Sequence, residues 1–239
     1  MNYDRRLILV GSICGIAGCI IFLGVAGLLE QLYWQPKFQS LIKSTGDFLS
    51  IMGSSPYRQI SMGSHLLGAF ALLLLAAGFI GLNKMLSYDK KRVTVTIGYT
   101  FGVLASVIMV AMSIVQGTTM TKMGKLFLES TPNQGEMILY LYRGLRYIDY
   151  GLDIAFDIFF FSAWILLGYA MLNHKYFGKI IGSIGIMLFT VTATLNLWAA
   201  PNPPSLELSP VCCLWILVVY IQALRSAKKI SFRNDPVMF

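Results

Sequence analysis

The sequence contains little charge for its length. Only 13% of its 239 residues are Asp, Glu, Lys or Arg, whereas charged residues make up about 25% of a typical soluble domain. Hydrophobic residues account for 56% of the chain, and the mean hydropathy is +0.67. This balance excludes an ordinary soluble domain and indicates an integral membrane protein.

The sequence also lacks the motifs of the common enzyme classes. It has no P-loop, no G-x-S-x-G nucleophile motif and no dinucleotide fingerprint. Its 2 histidines and 4 cysteines show no metal-ligand spacing, so we predict neither a bound metal nor a cofactor. An enzyme that modifies lipids inside the membrane stays open as an alternative, because such enzymes use sparse carboxylates and histidines.

The net charge of +8 does not indicate a nucleic-acid partner. The basic residues form short clusters at the ends of apolar segments, with no basic surface interleaved with aromatic residues. We therefore exclude nucleic acid and expect the lipid bilayer to be the main partner.

Long apolar runs are the dominant feature of what the sequence does contain. About 20 apolar residues form a helix that crosses a hydrocarbon core of about 30 Å. We predict an all-α polytopic membrane protein, a single domain over residues 1–239, with six transmembrane helices arranged as three hairpins. The six segments are Leu7 to Leu29, His65 to Leu82, Val93 to Val115, Ile154 to Leu172, Ile180 to Ala199 and Val211 to Ala223.

The distribution of Lys and Arg predicts the orientation. The N-terminus, the loops 83–92 and 173–179 and the C-terminal tail hold twelve of the 19 Lys and Arg residues. Because cytoplasmic loops are enriched in Lys and Arg, we predict that both termini are cytoplasmic.

The first two outer loops carry helical patterns of their own. Thr131 followed by Pro132 is a helix-start signal, so we expect the fourth helix to begin outside the membrane. In the first outer loop, apolar residues recur at close to helical spacing, which predicts an amphipathic helix on the outer surface or capping the bundle. These apolar residues are Phe38, Leu41, Ile42, Leu49 and Met52.

Three segments repeat a pattern of small residues near their cytoplasmic ends. Small residues at a spacing of four allow helix backbones to approach closely. We predict tight helix packing at these faces, which also offer a surface for a homo-oligomer or hetero-oligomer. The glycines concerned are Gly11 and Gly15, Gly98 and Gly102, and Gly178 and Gly182.

All four cysteines fall inside predicted spans. Counted at about 1.5 Å per residue from Arg6 and from Arg225, Cys19 and the pair Cys212 and Cys213 lie at the same depth in the membrane, about 20 Å. The cysteines are either small buried apolar side chains, or Cys19 forms a bond that links the first and last helices. The sequence does not tell whether Cys212 or Cys213 would be the partner of Cys19.

Three carboxylates at successive i, i+4 positions lead into the fourth segment: Asp149, Asp153 and Asp157. A charged side chain at the centre of a spanning helix costs about 2.5–3.5 kcal/mol, so such residues are candidates for function. Counted from the cytoplasmic edges, Asp157, Asn196 and His65 lie at about 24, 25 and 27 Å. We predict an outward-facing polar pocket between the second, fourth and fifth helices, with Asp153, Gln116 and Arg146 above it.

The same residues also have structural interpretations. Asp149 and Asp153 can be solvated or paired with Arg146, and Asp157 can form a hydrogen bond or a buried ion pair. His65 can bond a backbone carbonyl, and Asn196 can be an ordinary interhelical hydrogen bonder.

Residues of the fourth and fifth segments carry a family resemblance. The matching residues are Gly151-Leu152-Asp153 with Asp157, Met171-Leu172-Asn173-His174 with Phe177-Gly178, Leu195-Asn196-Leu197 and Pro201-Asn202-Pro203-Pro204. Through them the chain resembles the six-helix bacterial membrane proteins grouped as domain of unknown function 4386 or near relatives. The resemblance covers about the last 90 residues. It implies a six-helix protein of the bacterial inner membrane and names no catalytic residue.

Three functions are compatible with these patterns. The first is a binding or transport-type protein whose pocket takes a small solute, a lipid or a proton. The alternative is a structural or accessory subunit of a membrane complex. The second alternative is an enzyme that modifies lipids inside the membrane.

Overall fold

The computed structural model describes residues 3–24, 41–88, 93–200 and 208–229, and the regular structure in these ranges is entirely helical. A π-helical segment, Val115–Met120, lies between two of the α-helices. We number the α-helices in chain order. They are α1 (Tyr3–Phe22), α2 (Thr45–Gly53), α3 (Tyr57–Leu86), α4 (Val93–Ile114), α5 (Thr121–Leu128), α6 (Pro132–Met171), α7 (Gly178–Ala199) and α8 (Ser209–Ala227).

Six helices in the described ranges are long and apolar enough to cross a membrane. They are α1, α3, the continuous helix Val93–Leu128 that includes α4 and α5, then α6, α7 and α8. The predictions of an all-α fold and of six helices with the length and hydropathy to cross a membrane are therefore confirmed for the described ranges. The hairpin arrangement and the orientation of the termini stay predictions.

The described ends of the chain meet at one end of the bundle, which we call the terminal end. Arg5 Nη2 donates to the Lys228 carbonyl at 3.4 Å. Lys84, in the last turn of α3, forms an ion pair with Asp4 at 3.3 Å. The opposite end is called the distal end below.

Three of the helices are longer than a bilayer requires. α3 has 30 residues, Val93–Leu128 has 36 and α6 has 40, so α6 alone is about 60 Å long. Thr131 and Gln134 form a capping box at the start of α6, next to Pro132, which agrees with the predicted early start. The distal end therefore continues as a small helical layer beyond the apolar part of the bundle.

The short helix α2 packs into this distal layer. Ser44 caps it by accepting a hydrogen bond from the Asp47 amide, and Gly53 lies directly against Gly124 of α5. Leu49 of α2 is buried with Met120 and Tyr142. A helix is thus present in the first outer loop, beginning after Leu41 and Ile42, while Phe38 lies outside the described residues.

The glycines of α1 pack against other helices of the same chain. A Cβ placed on Gly11 would lie 2.6 Å from Gly81 Cα, and one on Gly18 would lie 2.7 Å from the Ala71 carbonyl oxygen. Gly15 packs against the Tyr220 ring, since a Cβ placed on Gly15 would lie 2.6 Å from ring carbons of Tyr220. α1 therefore packs backbone to backbone against α3.

The other glycine pairs differ from one another. Gly98 packs against Leu167 of α6, and Gly102 accommodates the Phe79 ring of α3. Gly182 lies against Gly168 of α6, with the Gly168 carbonyl oxygen 2.6 Å from a placed Cβ. Gly178 has open space around it and a φ of +76°, so it serves the turn into α7 rather than a contact between helices.

An aromatic cluster fills the centre of the bundle. Trp164 of α6 is fully buried and stacks on Phe189 of α7 at a ring distance of 5.8 Å. Phe79, Trp215 and Tyr220 surround the same indole at 5.1, 5.5 and 6.2 Å. This cluster joins α3, α6, α7 and α8 in the interior of the bundle.

We expect Gly11→Ala to destabilise the bundle by about 1–3 kcal/mol, because the new methyl group overlaps the Gly81 backbone and forces α1 away from α3. Thermal unfolding in detergent measures the effect. Gly68→Ala is the matched control, since no atom lies within 4 Å of a Cβ at that position of α3. Equal melting temperatures for the two variants would show that the α1–α3 contact is looser than described.

Candidate functional site

The three aspartates of α6 lie in three different surroundings. Asp149 is the most buried, with 5% of its side chain exposed. Arg146 Nη1 donates to Asp149 Oδ2 at 3.0 Å, and Gln116 Nε2 donates to both carboxylate oxygens at 3.0 and 3.1 Å. We call Gln116, Arg146 and Asp149 the distal cluster. A carboxylate with these charged and amide donors is well satisfied although it is buried.

The π-helical segment Val115–Met120 carries Gln116 to this carboxylate. π-helical turns are rare and often occur at functional sites, because the extra residue in the turn redirects side chains. The next residue, Gly117, packs against α3, where a placed Cβ would lie 2.8 Å from His65 Cβ. The same segment therefore links α3, α4 and α6.

His65 lies beside the distal cluster. Its Nδ1 is 2.7 Å from the Ser61 carbonyl oxygen. A carbonyl only accepts hydrogen bonds, so Nδ1 carries the proton and donates it. Since its neighbours are Ser61 and Gly117, His65 belongs to the distal part of the bundle and not to the surroundings of Asp157.

Asp157 lies two turns further into the apolar part of α6. Asn196 Nδ2 of α7 donates to Asp157 Oδ2 at 3.2 Å. Two residues predicted to share one layer are therefore brought into contact, and the structure separates them from the third, His65. Asp153 is exposed, one turn along α6 from both Asp149 and Asp157.

Asp157 also lines a cavity of about 70 Å³. Among the described residues of its wall, Asp157 is the only carboxylate, and most of the rest are apolar. The wall residues come from α1, α3, α6 and α8 and include Phe22, Leu72, Phe156, Phe160, Cys213 and Ile216. A polar group thus meets a mainly hydrophobic space.

The cysteines contribute to this region as free thiols. Cys213 Sγ donates to the Cys19 carbonyl oxygen at 3.7 Å, so Cys213 is the residue of α8 that lies against Cys19. Cys212 Sγ is 3.3 Å from Thr192 Oγ1. Both Cys212 and Cys213 form part of the cavity wall.

The sequence predicts Asp149 to be either solvated or paired with Arg146, and outside the polar pocket. In the structure, Asp149 is paired with Arg146 and buried at a contact between α6 and the helix Val93–Leu128. Its spacing to Arg146 signals the ion pair, but the role of Gln116 depends on the π-helical turn, which no residue pattern in the sequence predicts. Within the described ranges, no group of three or more His, Cys, Asp or Glu side chains is placed to hold a metal ion.

Comparison with protein-family models, with curated proteins and with solved structures gives no match to this chain. The resemblance to domain of unknown function 4386 therefore stays a prediction.

We expect Gln116→Leu to destabilise the protein by about 1–3 kcal/mol, because it removes two hydrogen bonds from a buried carboxylate. In an Asp149→Leu background the same change should cost less, giving a coupling of about 0.5–3 kcal/mol. Equilibrium unfolding in mixed micelles measures all four proteins. Thr118→Val in the same π-helical segment is the control and should be additive with Asp149→Leu; additive Gln116→Leu and Asp149→Leu effects would contradict the described contact.

Proposed function

We propose that the chain is a membrane-embedded binding protein of the transport type, in which Asp157 holds a proton or a small cation. The observation that carries this proposal is the position of Asp157 at a small, largely apolar cavity inside a membrane-crossing helix. Ionisable residues in such positions mark ion pathways and proton relays in many membrane proteins.

The size of the cavity favours a small occupant. A cavity of about 150 Å³ holds a benzene molecule, whereas this one measures about 70 Å³. A few water molecules, a hydrated proton or a small monovalent ion fit this space, and a bulky solute does not. Among the occupants considered from the sequence, the proton and the small ion are therefore favoured over a whole lipid.

The chemistry around Asp157 supports the same choice. Asn196 of α7 donates a hydrogen bond to the Asp157 carboxylate. A carboxylate at a mainly apolar cavity inside a membrane-crossing helix is a group that can take up a proton or a small cation. Asn196 fixes the orientation of one carboxylate oxygen relative to the cavity.

The proposal includes an orientation and a location. The clustering of Lys and Arg near the terminal end supports cytoplasmic termini and an outward-facing distal end. The resemblance noted above supports the inner membrane of a bacterium as the location.

The accessory-subunit alternative gains no support from the glycine faces. Gly11, Gly15, Gly98, Gly102 and Gly182 pack against other helices of the same chain. A partner subunit or a second copy would have to bind another surface, and the oligomer stays a prediction. The lipid-modifying enzyme likewise stays an untested alternative.

We expect Asp157→Asn to fold and to lose proton or cation binding, because the amide keeps the shape of the side chain without its charge. Infrared difference spectra of the protein in lipid nanodiscs, recorded while pH or the concentration of Na⁺ or K⁺ is changed, report the carboxyl group directly. The carboxyl signal should respond in the unmodified protein and should disappear in Asp157→Asn.

Asp153→Asn is the matched control, since Asp153 lies one turn away on the same helix. The response assigned to Asp157 should persist in this variant. A difference spectrum that is unchanged in a stably folded Asp157→Asn protein would overturn the proposed function.

A further inference from the structure

A second concave surface lies at the distal end, separate from the cavity at Asp157. This distal groove has a volume of about 780 Å³ and is formed by the segment before and within α2 together with one face of α6. Lys43, Arg143 and Arg146 contribute positive charge to its wall. Its aromatic surface includes Tyr142, Tyr147 and Tyr150.

The groove has an excess of positive charge. Among the described residues that line it, three are basic and none is acidic. Arg146 is paired with Asp149, whereas Arg143 lies 5.8 Å from the Tyr140 ring and forms no ion pair with a described residue. Neither Lys43 nor Arg143 forms an ion pair with a described residue, so both can meet an anionic ligand, and only a weaker attraction to Asp47 competes for Lys43.

The Asp47 carboxylate, on the α2 side of the groove, is held by its own helix. The Ser44 hydroxyl and the Lys43 amide donate to the Asp47 carboxylate at 2.9 and 3.1 Å. These bonds keep the pKa of Asp47 below its usual value. Asp47 thus serves the N-terminus of α2, and the Lys43 side chain is left exposed.

The depth of the groove matches the lipid headgroups. The apolar run Val93 to Val115 is about 34 Å long at 1.5 Å per residue, close to the thickness of the hydrocarbon core. Gln116 follows that run and contacts Asp149, which places Asp149 near the edge of the hydrocarbon. Arg146 and Arg143 then lie about 4.5 and 9 Å beyond this edge, within or at the outer side of the headgroup layer.

The tyrosines indicate a lipid rather than a free solute. Tyr147 lines the groove at the level of Arg146 and is 80% exposed, and Tyr150 lines it next to Asp149. Tyrosine is enriched at membrane interfaces, where its ring meets the hydrocarbon and its hydroxyl meets water. From this combination we propose that the distal groove binds the phosphate headgroup of an anionic phospholipid through Lys43 and Arg143.

The test uses the full-length protein in detergent, with bound molecules counted by native mass spectrometry. Phosphatidylglycerol, phosphatidylcholine and inorganic phosphate are titrated separately. The unmodified protein should bind phosphatidylglycerol more tightly than phosphatidylcholine. The double variant Lys43→Gln/Arg143→Gln should bind phosphatidylglycerol roughly a hundredfold more weakly, since each of the two lost charge-assisted hydrogen bonds accounts for about a factor of ten.

Two further variants keep the result interpretable. Lys122→Gln removes an exposed positive charge outside the groove and should leave phosphatidylglycerol binding unchanged. Lys43→Arg/Arg143→Lys keeps both charges and should retain binding, which separates charge from a folding defect. Arg146 is left intact in every variant because it also supports Asp149.

Either of two outcomes would overturn the proposal. Undiminished phosphatidylglycerol binding by Lys43→Gln/Arg143→Gln would show that the lipid binds elsewhere. Inorganic phosphate that binds as tightly as phosphatidylglycerol and competes with it would identify a free phosphate as the ligand. Neither outcome depends on Asp157, so this proposal and the proposed function fail or stand separately.

Discussion

The close contact between α1 and α3 is the constraint on which the rest of the bundle depends. Helices in lipid gain little from hydrophobic burial between them, so their association relies on packing and on interhelical hydrogen bonds. Gly11, Gly18 and Gly81 let the two backbones meet directly. This contact fixes the positions of Phe22 and Leu72, which form two walls of the cavity at Asp157.

Polar contacts join α6 to two other helices at two levels. At the distal level, Gln116 and Arg146 satisfy Asp149, and at the deeper level Asn196 bonds Asp157. Both carboxylates belong to α6, but their surroundings differ. The first has a guanidinium partner and closes a contact among helices, whereas the second faces a cavity and has an amide donor.

Much of this architecture follows from the sequence. Apolar runs predicted six helices of membrane-crossing length, and the contact between Asn196 and Asp157 agrees with their predicted common depth. Counting residues from a membrane edge assumes regular α-helices perpendicular to the bilayer. On that assumption His65 lies at the same depth as Asp157. In the structure, the π-helical turn at Gln116 and the distal extension of the helices place His65 beside Gly117.

The unbroken course of α6 has a mechanical consequence. Arg143 in the distal groove and Asp157 at the cavity are separated by 14 residues of one helix, a distance of about 21 Å. A continuous helix transmits rotation and tilt along its length because its backbone hydrogen bonds resist local twisting. Any reorientation of α6 in the bilayer would therefore act as a lever, moving the headgroup-level surface and the intramembrane carboxylate together.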